Sequence, residues 1–155
     1  MLAEAVNRVS LNREHPTSYK LLLGLGREAE ASALAAGIEP LTVELVKLRV
    51  SQLNGCAYCQ RLHFREALAH GESIDRLAVL PSWQETGYFS RVERAALTVA
   101  EDVTRIAERR DARPGADTTD TLTAEQFSAL AWVATVMNAL NRVAITSQYT
   151  VAQDR

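Results

Sequence analysis

Two helix-forming segments meet at Asn54-Gly55, and the only two cysteines of the chain stand at the start of the second segment. Asparagine followed by glycine breaks a helix, so we expect the chain to turn back here. After the break, Cys56, Cys59 and His63 follow one another at intervals of three and four residues. Residues with this spacing share one face of a helix. The pattern therefore predicts a helical hairpin that presents two thiols and an imidazole along one stripe.

The rest of the sequence also predicts helices. Ala, Leu, Glu and Arg are frequent, and the alternating runs that are typical of strands are absent. Two capping-box patterns, Ser90-x-x-Glu93 and Thr123-x-x-Gln126, mark the starts of two long helices. The last of these is apolar on most sides, so we expect it to lie at the centre of the domain or in a subunit interface. We predict an all-α fold, with helices near residues 17–36, 40–53, 56–70, 74–79, 90–109 and 124–149.

Length and composition restrict the class of protein. A chain of 155 residues, with 47% apolar and 23% charged residues, is typical of one soluble globular domain spanning 1–155. The net charge is −2 and basic residues do not cluster, so neither nucleic acid nor a membrane surface is an expected partner. The N-terminus lacks the pattern of a signal peptide, and no uncharged apolar run reaches the roughly 18 residues that span a bilayer. We expect the protein in the cytoplasm.

In the cytoplasm, a lone C-x-x-C pair is more often catalytic or metal-binding than a structural staple. If Gly55 precedes a helix, both cysteines lie in its first turn, where unpaired N–H groups and the helix dipole stabilise a thiolate. Cysteine pKa values in such settings fall from about 8.5 into the range of about 3.5–7.5. His63 lies one turn beyond Cys59, close enough to exchange a proton with it directly or through a water molecule.

Counting along the hairpin adds Glu44 to this group. His63 lies eight positions after Gly55, which is about 12 Å along a helix. The same distance back along the preceding helix reaches Glu44 to Leu48. Because a buried carboxylate needs a partner, a Glu44–His63 pair would satisfy Glu44 and orient the imidazole. Alternatively, Glu44 is exposed and pairs with Lys47 or with no residue; the sequence leaves both arrangements open.

The four residues form the pattern E-x11-C-x-x-C-x-x-x-H. The segment Glu44-Leu-Val-Lys-Leu-Arg-Val-Ser-Gln-Leu-Asn-Gly-Cys-Ala-Tyr-Cys59 closely resembles the alkylhydroperoxidase D-like (AhpD-like) branch of the carboxymuconolactone decarboxylase superfamily. Phe89-Ser90-x-x-Glu93-Arg94-Ala95-Ala96-Leu97 and Asn138-Ala-Leu-Asn-Arg142 also resemble it. The likeness extends over most of residues 40 to 145.

This resemblance implies an all-helical homo-oligomer, a trimer or a hexamer. It also implies an antioxidant enzyme without a cofactor, which reduces organic hydroperoxides or a partner-protein disulfide through the cysteine pair and uses Glu44 and His63 as a proton relay. Because Cys59 is four residues from His63, we expect Cys59 to attack and Cys56 to resolve, leaving a disulfide that an external dithiol reduces. The reverse order stays open, because Cys56 is nearer the helix start. In the best-known peroxidase of the family, a second histidine stands where this chain has Tyr58, and a phenol cannot replace it as a base at neutral pH.

Four alternatives compete with this hypothesis. Zinc could bind Cys56, Cys59 and His63, with Glu44 as fourth ligand, although a stripe on one helix surrounds a tetrahedral ion poorly. A decarboxylase activity is disfavoured, because that branch of the superfamily generally lacks the paired cysteines. A thioredoxin fold would require a βαβ pattern, which the sequence does not show. Finally, the cysteines could simply be buried and structural, although the Asn54-Gly55 break places them at a helix start.

Two further groups of residues have open roles. Trp83, Tyr88 and Phe89 are typical of a core or an interface, although they could also line an apolar approach to the thiols. Asn141-Arg142, on the last helix, could contact the thiol site or a neighbouring subunit. The sequence does not distinguish these possibilities.

Overall fold

A computed structural model describes residues 8–108 and 118–153, and within these ranges the regular structure is entirely helical. Seven α-helices occur in the described ranges, together with two short 3₁₀ segments, Leu80–Glu85 and Ile106–Glu108. The fold is therefore all-α, as predicted. In chain order the helices are α1 (Leu11–Glu14), α2 (Pro16–Ala35), α3 (Pro40–Asn54), α4 (Ala57–Ala69), α5 (Ile74–Val79), α6 (Arg91–Thr104) and α7 (Ala124–Thr146).

Helix α3 lies at the centre of the fold and packs against α4, α6 and α7. Every residue from Thr42 to Ser51 is buried. One side of α3 contributes Val43, Val46 and Val50 to an apolar core shared with α2, α6 and α7. Its other side contributes Leu45 and Leu48 to a second core, formed with α4, α5 and the segment that contains Trp83 and Phe89. Since it is covered on all sides, α3 sets the positions of its neighbours.

The predicted helices are found, with differences at their ends. The short helix α1 was not predicted, and His15 precedes α2 without a capping hydrogen bond from its side chain. Both capping boxes form as predicted, at Ser90 and at Thr123. Helix α6 ends at Thr104, earlier than predicted, and a 3₁₀ turn follows; the predicted end at residue 109 lies outside the described residues. Helix α7 ends at Thr146, three residues before the predicted end.

Helix α7 is a central helix, one of the two places that its apolar sequence predicts. It packs against α2, α3 and α6. Gly26 of α2 faces it closely, because a Cβ atom at Gly26 would lie 3.4 Å from Val136 Cγ1. By length and composition alone α7 would also qualify as a membrane span, the one such helix in the described part of the chain. Its contacts with these helices identify α7 as a core helix, although Trp132 and Ile145 on it stay exposed.

A polar cluster fastens the end of α3 to α7. The Asn54 amide donates to the side-chain oxygens of Asn138 and Asn141, each over 2.9 Å. The Asn141 amide in turn donates to Ser51 Oγ over 3.1 Å. Asn141 is fully buried, and a buried amide without partners would cost about 1–3 kcal/mol. These hydrogen bonds therefore hold the residues immediately before the hairpin turn.

The hairpin turn itself depends on Gly55, which follows α3 with φ of 69° in the left-handed region. We predict that Gly55→Ala lowers the free energy of unfolding by about 1 kcal/mol, because a Cβ atom is unfavourable at this φ. No heavy atom would lie within 4 Å of the new Cβ, so the effect should come from the backbone alone. Urea denaturation measures it.

Gly87 provides a matched control for this substitution. It also has open space around a would-be Cβ atom, but its φ lies outside the left-handed region. Gly87→Ala should leave stability unchanged or raise it slightly. Equal losses in the two variants would show that the left-handed turn at Gly55 is not the cause.

Candidate active site

The two cysteines form a disulfide at the start of α4. Cys56 is the N-cap residue of this helix, and its sulfur accepts a hydrogen bond from the backbone N–H of Cys59 over 3.3 Å. Both side chains are buried, with exposed fractions of 2% and 4%. The predicted position at a helix start is therefore found. The N–H group and the helix dipole would both stabilise negative charge on Cys56 Sγ after reduction.

His63 lies on the same helix, two turns into it, and its ring contacts two carboxylates. His63 Nδ1 is 3.1 Å from Glu44 Oε2 on α3 and 2.8 Å from Glu66 Oε2 one turn further along α4. The Glu44 contact is the one that counting along the hairpin predicts. Because both carboxylates accept from Nδ1, this nitrogen carries a proton, and Nε2 is the nitrogen that gains or loses one.

Lys47 completes this cluster, and it bonds to Glu44 as well as to a residue of α2. Its ammonium lies 2.5 Å from Glu44 Oε1, 2.8 Å from Glu30 Oε1 and 3.9 Å from Glu66 Oε2. Of the two arrangements that the sequence left open, Glu44 adopts the buried one and contacts His63. The exposed arrangement is wrong, although the pairing with Lys47 that it included also forms. Three carboxylates face one lysine, so the cluster has a surplus of negative charge.

This surplus of negative charge changes the pKa values of the cluster. Burial opposes protonation of His63, but hydrogen bonds to Glu44 and Glu66 outweigh burial and raise the pKa of His63 above its usual 6.5. The hydrogen bond from His63 lowers the pKa of Glu66 to about 2. Burial likewise opposes the charge of Lys47, yet the neighbouring Glu44 and Glu30 raise the pKa of Lys47 above 10.5. His63 is thus a stronger base than a free imidazole.

A cavity of about 460 Å³ reaches this cluster and the disulfide. Cys59 lines it together with His63, whereas Cys56 does not. Arg27 and His70 lie on its exposed rim. The size is within the range of small-molecule sites in proteins. Its apolar wall comes from α2, α4 and α7 and consists of Leu23, Leu62, Met137, Leu140 and Val143.

Three residues of the cluster have the side chains of a possible metal site. Ligand atoms of Glu44, His63 and Glu66 lie within 4.8 Å of one another, the one such group of three among the described residues. However, the Lys47 ammonium already bonds to Glu44 and Glu30 and provides the positive charge that these carboxylates require. The cysteines, joined to each other, are not part of this group. The arrangement therefore fits proton transfer at His63 better than it fits a bound cation.

The structure brings together all four residues that the sequence singled out, Cys56, Cys59, His63 and Glu44. Sequence reasoning missed Glu66, although its i, i+3 spacing from His63 was a usable signal. It also missed Glu30 and Tyr149, for which the sequence has no local signal. Tyr58 is 41% exposed and lines the cavity, with its ring against Tyr149.

The structure also places the other residues whose roles the sequence left open. Trp83 and Phe89 belong to the second core and do not line the cavity. Asn141 and Arg142 contact residues of their own chain, and a contact with a neighbouring subunit stays a prediction. Asn141 holds the end of α3, and Arg142 donates to the Asn138 carbonyl over 2.9 Å.

Comparison with known proteins agrees with this fold and motif. The family model for the carboxymuconolactone decarboxylase family matches residues 17–102. The chain is 36% identical over 103 residues to the uncharacterised protein YdfG of Bacillus subtilis, and the match covers 66% of this chain and 67% of that protein. The chain belongs to the carboxymuconolactone decarboxylase family.

A solved structure narrows the family assignment to one branch of the family. A crystal structure from Agrobacterium tumefaciens, of a protein of unknown function that has been put forward as the antioxidant defence protein AhpD, has a TM-score of 0.82 with this fold. The two are 26% identical, and the superposition covers 95% of this chain and 99% of that one. The fold is thus that of the AhpD-like branch, as the sequence resemblance implied.

The contacts of His63 predict how its titration responds to substitution. Glu66→Gln should lower the pKa of His63, because it removes one of the two carboxylates that stabilise the imidazolium. Glu28→Gln, on an exposed part of α2, is the matched control and should leave the titration unchanged. NMR titration of the His63 ring protons measures both. If Glu66→Gln did not move the His63 titration, Glu66 would not stabilise the imidazolium.

The same contacts predict a pH-dependent stability. Because the folded-state pKa of His63 is raised, its contribution to stability is complete below about pH 6.5. That contribution should be lost as the pH rises through the raised value. Urea denaturation at a series of pH values checks this, and His63→Gln should abolish this part of the pH dependence. A wild-type profile identical to that of His63→Gln would contradict it.

Proposed function

We propose that this protein is a thiol peroxidase without a cofactor, which reduces organic hydroperoxides while Cys56 and Cys59 cycle between dithiol and disulfide. One observation carries the proposal: Cys59 of the disulfide and His63, hydrogen-bonded to Glu44, line the same cavity. Family membership and the AhpD-like fold support an antioxidant role. Reduction of a partner-protein disulfide by the same dithiol is the closest variant of this activity.

In the first step, His63 takes the proton of Cys59. Nε2 accepts it, because Nδ1 already donates to Glu44 and Glu66. The two carboxylates stabilise the imidazolium, which is why the raised pKa of His63 favours a thiolate–imidazolium pair over a thiol–imidazole pair. Glu44 therefore acts as a positioning residue, and His63 acts as the base.

In the second step, the Cys59 thiolate attacks the terminal oxygen of the hydroperoxide. The Sγ–O bond forms, the O–O bond breaks, and the alkoxide leaves with the proton that His63 returns. Cys59 becomes a sulfenic acid and the organic product is an alcohol. The apolar wall of the cavity would hold the organic part of the hydroperoxide.

In the third step, Cys56 resolves the sulfenic acid. Its thiolate attacks Cys59 Sγ, the sulfenic hydroxyl leaves as water after taking a proton, and the disulfide forms. The Cys59 N–H that bonds to Cys56 Sγ would stabilise this thiolate before it attacks. An external dithiol then supplies the two electrons that restore both thiols.

We also propose the assembly and the compartment that the sequence predicts, a homo-oligomer in the cytoplasm. Several large apolar side chains on α2 and α7 are exposed in the single chain, as they would be before a subunit interface covered them. They include Leu21, Leu25, Trp132 and Ile145. Light scattering in solution would measure the number of subunits.

One equivalent of cumene hydroperoxide should convert the reduced protein to the Cys56–Cys59 disulfide. Alkylation followed by mass spectrometry maps the thiols. His63→Gln should slow this oxidation by about 100-fold or more, since it removes the base. His15→Gln, which lies away from the cluster, is the matched control. Thiols that survive the hydroperoxide in the wild-type protein would contradict the peroxidase proposal, and stoichiometric zinc in the purified protein would favour the metal alternative.

The roles of the two cysteines predict different products in two variants. Cys56→Ser should still react with the hydroperoxide and accumulate a sulfenic acid at Cys59, which dimedone labels. Cys59→Ser should not consume hydroperoxide at a comparable rate. Should Cys59→Ser keep the wild-type rate of the first oxidation while Cys56→Ser loses it, the order of attack is the reverse.

A further inference from the structure

The Tyr149 side chain covers the disulfide. It packs against the apolar cluster formed by Cys56, Cys59 and Ala144. Its ring also meets Tyr58 edge to face, with 5.1 Å between ring centroids. The two tyrosines line the 460 Å³ cavity on one side and a second, outer groove of about 310 Å³ on the other. The rings of Tyr58 and Tyr149 therefore form a wall between the outer groove and the cavity that Cys59 lines.

An unusual turn places Tyr149 in this position. Gln148, just after α7, has φ of 52°, in the left-handed region that glycine normally occupies. The turn is closed by hydrogen bonds from Gln148 N to the Ile145 carbonyl and from Tyr149 N to the Ala144 carbonyl, each over 3.0 Å. A residue other than glycine pays a conformational cost here, so the covered arrangement is less stable than a glycine turn would make it.

The Tyr149 hydroxyl is uncharged at physiological pH. Burial, with a smaller contribution from a hydrogen bond to the neighbouring Tyr19, raises the pKa of Tyr149 to about 12, so the hydroxyl stays neutral. The ring therefore meets the disulfide as an uncharged surface, and the Gln148 turn is the feature that favours its displacement.

The two co-substrates of the proposed cycle make different demands on this wall. A small hydroperoxide can reach Cys59 through the cavity, past the exposed residues Arg27 and His70. A dithiol on a protein surface cannot enter a cavity of this size, and it must align its thiolate with the disulfide bond to react. With sulfurs only 2% and 4% exposed, such a partner needs the wall to open.

We propose that Tyr149 selects the reductant: its ring admits small thiols through the cavity and excludes protein dithiols until it is displaced from Cys56 and Cys59. The incoming thiolate bonds to Cys59 Sγ, the disulfide breaks, and Cys56 leaves as a thiolate that the Cys59 N–H stabilises. The second thiol of the reductant then releases Cys59, and the reductant becomes a disulfide. The place of this step in a catalytic cycle rests on the proposed function, but the step itself needs no hydroperoxide.

The test compares two reductants of different size on the oxidised protein. Reduction by dithiothreitol and by a reduced thioredoxin is followed as thiol release in the wild type, Tyr149→Ala, Tyr149→Phe and Tyr88→Ala. Tyr149→Ala should accelerate reduction by thioredoxin about tenfold or more, because the protein dithiol no longer has to displace the ring from the disulfide. Its rate with dithiothreitol should change less than about threefold, because dithiothreitol already reaches Cys59 through the cavity.

The two other variants separate selection by the ring from general loosening. Tyr149→Phe keeps the ring and removes only the hydroxyl, so its rate with thioredoxin should resemble that of the wild type rather than that of Tyr149→Ala. Tyr88→Ala, an equal loss of side chain at an exposed site away from the cavity, should match the wild type.

Two results would overturn the proposal. An unchanged thioredoxin rate in Tyr149→Ala would show that the ring does not exclude the partner. Equal acceleration with both reductants would show that it covers the disulfide without selecting by size. Hydroperoxide is absent throughout, so a failure of the peroxidase proposal appears separately, as wild-type thiols that survive cumene hydroperoxide.

Discussion

The burial of α3 on all sides is the constraint on which the rest of the structure depends. This helix carries three charged residues, Glu44, Lys47 and Arg49, into the interior. Each has a partner of opposite charge, and that of Arg49 is Glu101 of α6, over 2.8 Å. Removing one partner of a buried pair costs about 3–5 kcal/mol, because the other charge remains. The charges of α3 therefore dictate which residues of α2, α4 and α6 must face it.

Contacts of the buried helix α3 also position the site, at two places along the hairpin that α3 forms with α4. At the turn, Asn54 is held by Asn138 and Asn141, so the start of α4 and its cysteines have a defined position. Further along, the contact between Glu44 and His63 fixes the rotation of α4 about its axis. Because both ends of the hairpin are held, the imidazole and Cys59 open into one cavity. Small errors at either end would move the base away from the thiol.

Local patterns in the sequence predicted most of the fold and the main residues of the site. Helix periodicity, two capping boxes and the glycine turns are set by neighbours within about four residues, so they are visible without a structure. The Glu44–His63 contact was predictable for a related reason, since a tight turn makes a long-range contact a matter of counting along two helices. Glu66 was missed even though its signal was equally local.

Other features had no local signal. Glu30 reaches Lys47 from α2, whose distance from α3 depends on packing through Gly26 and α7. Tyr149 reaches the disulfide because Gln148 adopts a left-handed conformation that its residue type does not predict. The early end of α6 and the short helix α1 likewise had no local signal in the sequence.

By itself, the sequence determined that the protein is helical, that two thiols and an imidazole share one face of a helix, and that a carboxylate stands where a tight hairpin would bring it beside the imidazole. These follow from backbone periodicity and turn chemistry, which act over a few residues. Only the tertiary structure decided which sulfur lines the cavity, how many carboxylates surround His63, and what covers the disulfide. Those properties depend on charge burial and packing between distant segments, because the environment of a side chain comes from every helix around it.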